Sequence, residues 1–191
     1  AGATAARSEA ETVFPVVFRS GGAHTVVARV EADRLAVDDQ RAAVVMVPPP
    51  ARVLIVNGQP ALEFQDDEVG YLAAVLEPPR GDDPAGGDWI SPFESRVIER
   101  ADLTAGAIDL ADYDVLVLAN VASFSAQTVE RLEQRVAAGA ALLFTVGDEV
   151  DIGNWNARLF RADGSGLLPA ELGPLVAIAD RRSDYFRIRA F

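Results

Sequence analysis

The chain of 191 residues contains no cysteine and a single histidine, His24. Without cysteine it cannot form a disulfide, offer a thiolate to a metal ion or use a thiol as a nucleophile. A Ser-His-Asp triad would have to use His24, and a metal site could include one imidazole at most. These absences exclude cysteine chemistry and disfavour mechanisms that depend on histidine.

Lysine is also absent, so the 17 basic residues are all arginine, against 29 aspartates and glutamates. The formal net charge is −12 at pH 7. A chain this acidic has no basic stripe to neutralise phosphate groups, which disfavours nucleic-acid binding. A cation, a basic partner or simple solubility fits the charge better.

Long hydrophobic runs are missing as well. The longest, such as residues 43–47 and 140–146, are far shorter than the roughly 20 residues that a helix needs to cross a bilayer, so we expect that this chain does not itself span a membrane. Residues 1–11 have neither the basic start nor the apolar middle of a signal peptide. We therefore expect that any targeting segment lies before residue 1 or has been removed.

The N-terminal part of the chain is rich in β-forming residues. Runs 13–18, 24–30 and 41–47 predict three antiparallel strands, whereas an immunoglobulin-like sandwich needs about seven. We therefore interpret residues 1–47 as the C-terminal part of such a sandwich, in a chain that begins inside a larger protein. Three consecutive prolines then predict a stiff linker over residues 48–51.

Residues 52–191 show a different pattern, in which apolar strands alternate with helices. Strands are predicted at 52–56, 93–98, 114–118 and 141–146. One helix is predicted at 66–76, where the first turn is acidic. A second helix is predicted to begin after an N-cap at Ser125 and to end at Gly139. The Pro- and Gly-rich residues 77–88 predict a mobile loop. Unbroken apolar strands are typical of a parallel sheet covered on both faces. The expected fold is an α/β domain with an open, mainly parallel, flavodoxin-like sheet and helices on both faces, preceded by a small antiparallel β segment.

Residues 112–120, DYDVLVLAN, followed by a helix and the strand 141–146, resemble the class I glutamine-amidotransferase-like superfamily. The order of sandwich tail, proline linker, RVLIVNGQP at 52–60, LADYDVLVLANV at 110–121 and LLPAELG at 167–173 is similar to bacterial membrane proteins related to the Bat-type aerotolerance regulators. The resemblance implies a soluble, extracytoplasmic part of a membrane-anchored envelope protein. It also implies that the second domain continues beyond the β-like run at 184–191.

An active amidotransferase of this kind needs a cysteine on the turn after its nucleophile strand, followed later by histidine and glutamate. Here that turn reads Gly147-Asp148-Glu149, and no histidine follows His24. The resemblance therefore implies a pseudoenzyme with no catalytic residues and no cofactor. We expect a non-catalytic interaction or scaffold module that binds a protein partner or associates with itself, through strands in 13–47 or 185–188.

Ligands of open α/β sheets bind beyond the carboxyl ends of the strands. The polar and glycine residues expected there, and hence the candidate ligand-binding residues, are Asn57, Gly58, Gln59, Asn120, Ser123, Gly147, Asp148 and Glu149. They could line a pocket for a small molecule. The alternative is that they are the ordinary turn residues that follow strands, because asparagine, glycine and aspartate are common in such turns.

Two further possibilities rest on acidic side chains. Asp148, Glu149 and Asp151 could hold Ca²⁺ or Mg²⁺ through oxygen ligands, but their spacing matches no complete loop motif, and a solvated acidic loop explains them as well. No metal site is therefore assigned. A carboxylate-dependent hydrolase is the remaining alternative, and it would need two carboxylates facing each other. Trp155 could stack on a ligand or anchor a loop to the core.

Overall fold

The computed structural model of the chain describes residues 11–31, 37, 39–63, 67, 69–78 and 91–174. The chain divides into two compact units. The first comprises Ala1–Pro50 and Asp83–Pro92, and the second comprises Ala51–Asp82 and Phe93–Phe191. Most of the predicted loop 77–88 and the predicted β-like run 184–191 lie outside the described residues.

The first unit contains an antiparallel pair of strands, β1 (Gly22–Arg29) and β2 (Gln40–Val47). Gly22 pairs with Val47 and Arg29 pairs with Gln40. The predicted strand at 13–18 is not formed, because residues 11–19 have no regular secondary structure. Pro15 lies in the middle of this run, and its missing N–H weakens any ladder that the run could join.

The described residues of the second unit form a four-stranded, fully parallel sheet. Its strands are β3 (Ala51–Asn57), β4 (Phe93–Glu99), β5 (Val115–Ala119) and β6 (Ala141–Thr145). Their order across the sheet is β4-β3-β5-β6. Numbered within the unit this is 2-1-3-4, the flavodoxin-like order, which reverses direction between β3 and β5. The predicted fold class is confirmed.

Within the described residues, four helices connect or follow these strands: α1 (Gly70–Leu76), α2 (Arg100–Ala105), α3 (Ala126–Ala137) and α4 (Ile152–Leu159), with a short 3₁₀ turn at Leu110–Asp112. The predicted ends of α3 are confirmed. The Ser125 hydroxyl accepts a hydrogen bond from the Thr128 backbone N–H at 3.1 Å. Gly139 has a φ of 104°, which only glycine adopts without strain.

The structure corrects the start of α1. The helix begins at Gly70 rather than at residue 66 and has no acidic residue in its first turn. Asp67 lies ahead of it, where its carboxylate accepts a hydrogen bond from the Val69 backbone N–H at 2.9 Å. A side-chain acceptor of this kind favours a turn over continued helix. Asp66 and Glu68 lie outside the described residues.

The sheet has a core on each face because successive strand residues point to opposite sides. Leu54, Val56, Leu116 and Leu118 face the larger core, together with residues of α2, α3 and α4 such as Leu103, Leu132 and Trp155. Val53, Ile55, Val117 and Ala119 face the smaller core, which includes Leu72 and Leu76 of α1. The helices therefore lie on both faces, as predicted. No helix among the described residues is long and apolar enough to cross a membrane.

Candidate functional site at the strand ends

The carboxyl ends of the four strands lie side by side. The register pairs Asn57 with Glu99 on one side and with Ala119 on the other, and pairs Ala119 with Thr145. The loops that follow β3, β5 and β6 therefore start from one edge of the sheet. This edge includes the point where the strand order reverses, which is where doubly wound sheets bind their ligands.

Asn120 connects these three loops. Its side chain is fully buried, and its Nδ2 donates hydrogen bonds to Gln59 Oε1 at 2.7 Å and to Asp148 Oδ1 at 3.1 Å. Its Oδ1 accepts a hydrogen bond from the Glu149 backbone N–H at 3.1 Å. The amide thus binds the loop after β3 and the loop after β6 at the same time.

The backbone of Asn120 adopts a conformation that is unusual for a residue other than glycine. Its φ is 48°, in the left-handed region that asparagine tolerates better than most residues. Its backbone N–H donates to the Thr145 carbonyl at 2.9 Å, which continues the β5–β6 ladder by one residue. The left-handed turn then carries the chain away from the sheet toward α3.

Asn57 has a similar role at the end of β3. Its side chain is buried, its Nδ2 donates to Asp67 Oδ1 at 3.0 Å, and its Oδ1 accepts from the Gln59 backbone N–H at 3.1 Å. The Gly58 backbone N–H donates to the Ala119 carbonyl at 2.8 Å. The β3 loop is therefore held against β5 by both backbone and side-chain bonds.

Two glycines are required here by close approach rather than by an unusual φ. A Cβ on Gly58 would lie 2.0 Å from the Asn120 carbonyl oxygen, and a Cβ on Gly147 would lie 2.5 Å from the Asn120 Cγ. Real Cβ atoms essentially never come within 3.0 Å of such neighbours. The loops after β3 and β6 thus approach Asn120 as closely as only glycine allows.

The structure brings together seven of the eight candidate residues: Asn57, Gly58, Gln59, Asn120, Gly147, Asp148 and Glu149. The eighth, Ser123, is half-buried on the loop after β5 and forms no hydrogen bond with the cluster in the described part of the chain. Asp67 also belongs to the cluster, whereas the sequence pattern predicts it in the acidic first turn of a helix. The sequence signal for this position is the aspartate itself, because aspartate side chains often accept a hydrogen bond from the backbone two residues later, as Asp67 does from the Val69 N–H.

Beside this cluster, α4 is fastened to the loop after β5. Asp151 caps α4 by accepting from the Asn154 backbone N–H at 3.0 Å, and its own N–H donates to the Ala122 carbonyl at 2.9 Å. Asn154 exchanges two hydrogen bonds with the backbone of Phe124. Trp155, fully buried, donates its Nε1–H to the Val121 carbonyl at 2.9 Å. Trp155 is thus the loop anchor, one of its two sequence-based interpretations.

The acidic side chains at this edge have different surroundings. Asp148 and Glu149 are exposed, while the Asp151 carboxylate is used as the helix cap. Among the described residues, no group of three or more histidines, cysteines, aspartates or glutamates is arranged to hold a metal ion. His24, in the other unit, donates its Nε2–H to the Ser20 carbonyl at 2.7 Å and lies against the Phe18 ring.

The carboxyl group of Asp163, in the turn after α4, has a lowered pKa. Its Oδ1 accepts hydrogen bonds from the Ser165 backbone N–H at 2.9 Å and from the Ser165 hydroxyl at 2.7 Å. These bonds, helped by the nearby Arg161 guanidinium, hold the pKa of the Asp163 carboxyl below its usual value. The carboxylate is exposed and bonded within its own turn, so the shift has a local structural cause.

Two surface grooves lined entirely by described residues lie away from the strand ends. One, of about 560 Å³, runs between residues 106–111 and α3, and the other, of about 310 Å³, lies between α3 and α4. In the first, Arg131 donates to the carbonyls of Leu103 and Ile108, and Arg135 donates to that of Tyr113. These guanidiniums bind carbonyls between residues 103 and 113, and the Leu103 carbonyl also accepts from the Gly106 backbone N–H at 3.3 Å.

Comparison of the chain with family models, with curated proteins and with solved structures finds no match in any of the three.

Proposed function

We propose that this chain is a non-catalytic interaction or scaffold module of a larger, membrane-anchored bacterial envelope protein, outside the cytoplasm. The envelope setting rests on the resemblance of residues 52–60, 110–121 and 167–173 to proteins related to the Bat-type regulators. The non-catalytic role rests on the missing cysteine, on the absence of histidine after His24, and on how the polar residues at the strand ends are used.

The observation that carries the proposal is the buried amide of Asn120. At the edge where a doubly wound sheet would bind its ligand, this amide bonds to Gln59, Asp148 and the Glu149 N–H. Asn57 likewise bonds to Asp67 and to the Gln59 N–H. Polar groups that satisfy one another hold three loops in place, which is a structural task.

Purified protein is expected to release no ammonia from glutamine. Glutaminase chemistry of this type needs a thiolate, and the turn after β6 offers Gly147, Asp148 and Glu149 instead. Ammonia can be measured with a coupled dehydrogenase assay at millimolar glutamine, with Asp148→Asn as the matched variant. Enzyme-like release by the native protein that disappears in Asp148→Asn would contradict the proposal.

A second candidate function is cation or small-molecule binding near Asp148. It is favoured by one observation, that the carboxylates of Asp148 and Glu149 are adjacent and exposed at this edge of the sheet. Asp148 Oδ1 already accepts from Asn120 Nδ2, which reduces its value as a metal ligand.

Millimolar Ca²⁺ or Mg²⁺ is therefore expected to leave the melting temperature unchanged. The reason is that one Asp148 oxygen is already bonded and the spacing of the acidic residues matches no complete binding loop. Tight binding at about 100 times Kd would add roughly 2.7 kcal/mol to the free energy of unfolding, which a thermal melt detects easily. A clear rise with either ion that is lost in Asp148→Asn would instead establish the second candidate.

A further inference from the structure

The groove between residues 106–111 and α3 contains two arginine side chains that have no carboxylate partner. Arg131 and Arg135 both line this groove, and both are half-buried. They are four residues apart on α3 and therefore lie on one face of the helix, where like charges repel each other. In the part of the chain that the structure describes, neither guanidinium forms an ion pair. The protein itself therefore does not neutralise these two positive charges by contact.

The groove between α3 and α4 provides a comparison. It is lined by two glutamates and two arginines, and Arg161 is paired with Glu133 at 2.6 Å. Its charges are therefore balanced within the protein. The groove beside residues 106–111 has one carboxylate, that of Asp109, whose Oδ1 accepts a hydrogen bond from the Ala111 backbone N–H at 3.0 Å. This groove is thus net positive in a chain whose net charge is −12.

Backbone carbonyls hold both guanidiniums in place. Arg131 donates to the carbonyls of Leu103 and Ile108 at 3.0 and 2.6 Å. Arg135 donates to the Tyr113 carbonyl from Nε at 2.9 Å and from Nη2 at 2.6 Å. A guanidinium has about five N–H donors in a planar fork, so each arginine retains donors that these bonds do not use. Such forks match the oxygens of a carboxylate or a phosphate group.

The size and lining of the groove suit a small ligand. Its volume of about 560 Å³ is in the range of small-molecule sites. Beside the arginines it is lined by the small side chains of Ala107, Ala111 and Ala138, which leave room for the body of a ligand. Because the guanidiniums are already fixed by the backbone, a ligand that binds them does not have to order them.

We infer that this groove binds a small molecule through an oxyanion, a carboxylate or a phosphate group, held by Arg131 and Arg135. The groove is formed by segments that precede β5 and β6, away from the strand ends, so the inference does not depend on the proposed function. The Asp109 carboxylate and the partial negative charge at the C-terminal end of α3 oppose an anion. The affinity is therefore expected to be modest, with a Kd of about 0.1 to 1 mM.

The test is titration of the complete chain with inorganic phosphate and, separately, with benzoate, followed by proton–nitrogen correlation NMR. Each probe is raised to about 10 mM, with sodium chloride keeping the ionic strength constant. At least one probe is expected to shift the amide resonances of residues 106–111 and 131–138 along a saturating curve. Saturation by phosphate alone assigns a phosphate group, saturation by benzoate alone assigns a carboxylate, and saturation by both assigns either oxyanion.

A carboxylate introduced into the groove tests the site without removing an arginine. Ala111→Glu is expected to raise Kd at least about tenfold, because the new side chain can pair with the guanidiniums in place of the ligand. Ala157→Glu is the matched control, since Ala157 is an exposed alanine that lines the other groove and its substitution adds the same charge to the chain. It should leave Kd within about twofold.

Ala107→Glu, at a second exposed position of the groove, replaces Ala111→Glu if circular dichroism shows that the latter disturbs the fold. Three results would overturn the inference. These are the absence of a saturating shift with both probes, binding that Ala111→Glu and Ala107→Glu leave intact, and binding that Ala157→Glu weakens as strongly as they do.

Discussion

Replacing Trp155 by alanine is expected to lower the free energy of unfolding by about 4 kcal/mol. The indole is fully buried, and its ring packs in tilted contact with Phe124 and Phe144 at centroid distances of 5.3 and 5.1 Å. Alanine leaves a cavity between α4 and the sheet, and it also leaves the Val121 carbonyl without its Nε1–H donor. The loop that follows Asn120 thereby loses its anchor.

Urea unfolding followed by far-UV circular dichroism measures this loss. Trp155→Phe keeps most of the ring volume and removes the hydrogen bond, so it should cost about 1 to 2 kcal/mol. Val75→Ala, at an exposed position of α1, is the surface control and should change stability by no more than about 0.5 kcal/mol. A Trp155→Ala protein within about 1 kcal/mol of the native value would show that Trp155 does not anchor this loop.

Gly58→Ala is expected to destabilise the second unit by about 3 kcal/mol or more. The added Cβ would lie 2.0 Å from the Asn120 carbonyl oxygen and 2.6 Å from that of Ala119. Both neighbours are backbone atoms at the end of β5, so no side-chain rotation relieves the overlap. The ends of β3 and β5 would have to separate, which breaks the hydrogen bond from the Gly58 N–H to the Ala119 carbonyl.

Gly173→Ala is the matched control, because a Cβ at Gly173 meets nothing within 4 Å. Its stability should stay within about 0.5 kcal/mol of the native protein. Gly147→Ala should fall between the two, since its neighbour is the Asn120 side chain rather than backbone. Equal unfolding midpoints for Gly58→Ala and Gly173→Ala would contradict the close approach of the β3 and β5 ends that the structure shows.

Elements with strong local signals were predictable from the sequence. The apolar runs that became β3 and β5 are buried on both faces and pair only with parallel neighbours, so no alternation of polar residues is needed along them. Helix α3 begins after a Ser125 cap and ends before Gly139, both of which act through local backbone chemistry. The excluded cysteine chemistry follows from composition alone.

Elements whose stability comes from distant contacts have weak signals in the sequence. Helix α2 has six residues and α4 has eight, too few for a clear periodic pattern. The sequence indicates where these helices begin only through their N-terminal capping residues, which are Glu99 with Asp102 for α2 and Asp151 for α4. Run 13–18 has the composition of a strand, yet Pro15 interrupts it and no ladder forms among residues 11–19.

The sequence by itself determined the fold class, the polar character of the strand ends and the absence of a thiol nucleophile. Only the tertiary structure decided that Asn120 meets Gln59, 61 positions away, and Asp148, 28 positions away. Apolar runs show where strands end, but the neighbours of each strand depend on how the connecting helices pack on the two faces. Because β5 lies between β3 and β6, the loops after β3 and β6 both contact the buried amide of Asn120 at the end of β5. The loops come so close to Asn120 that a side chain at Gly58 or Gly147 would overlap it.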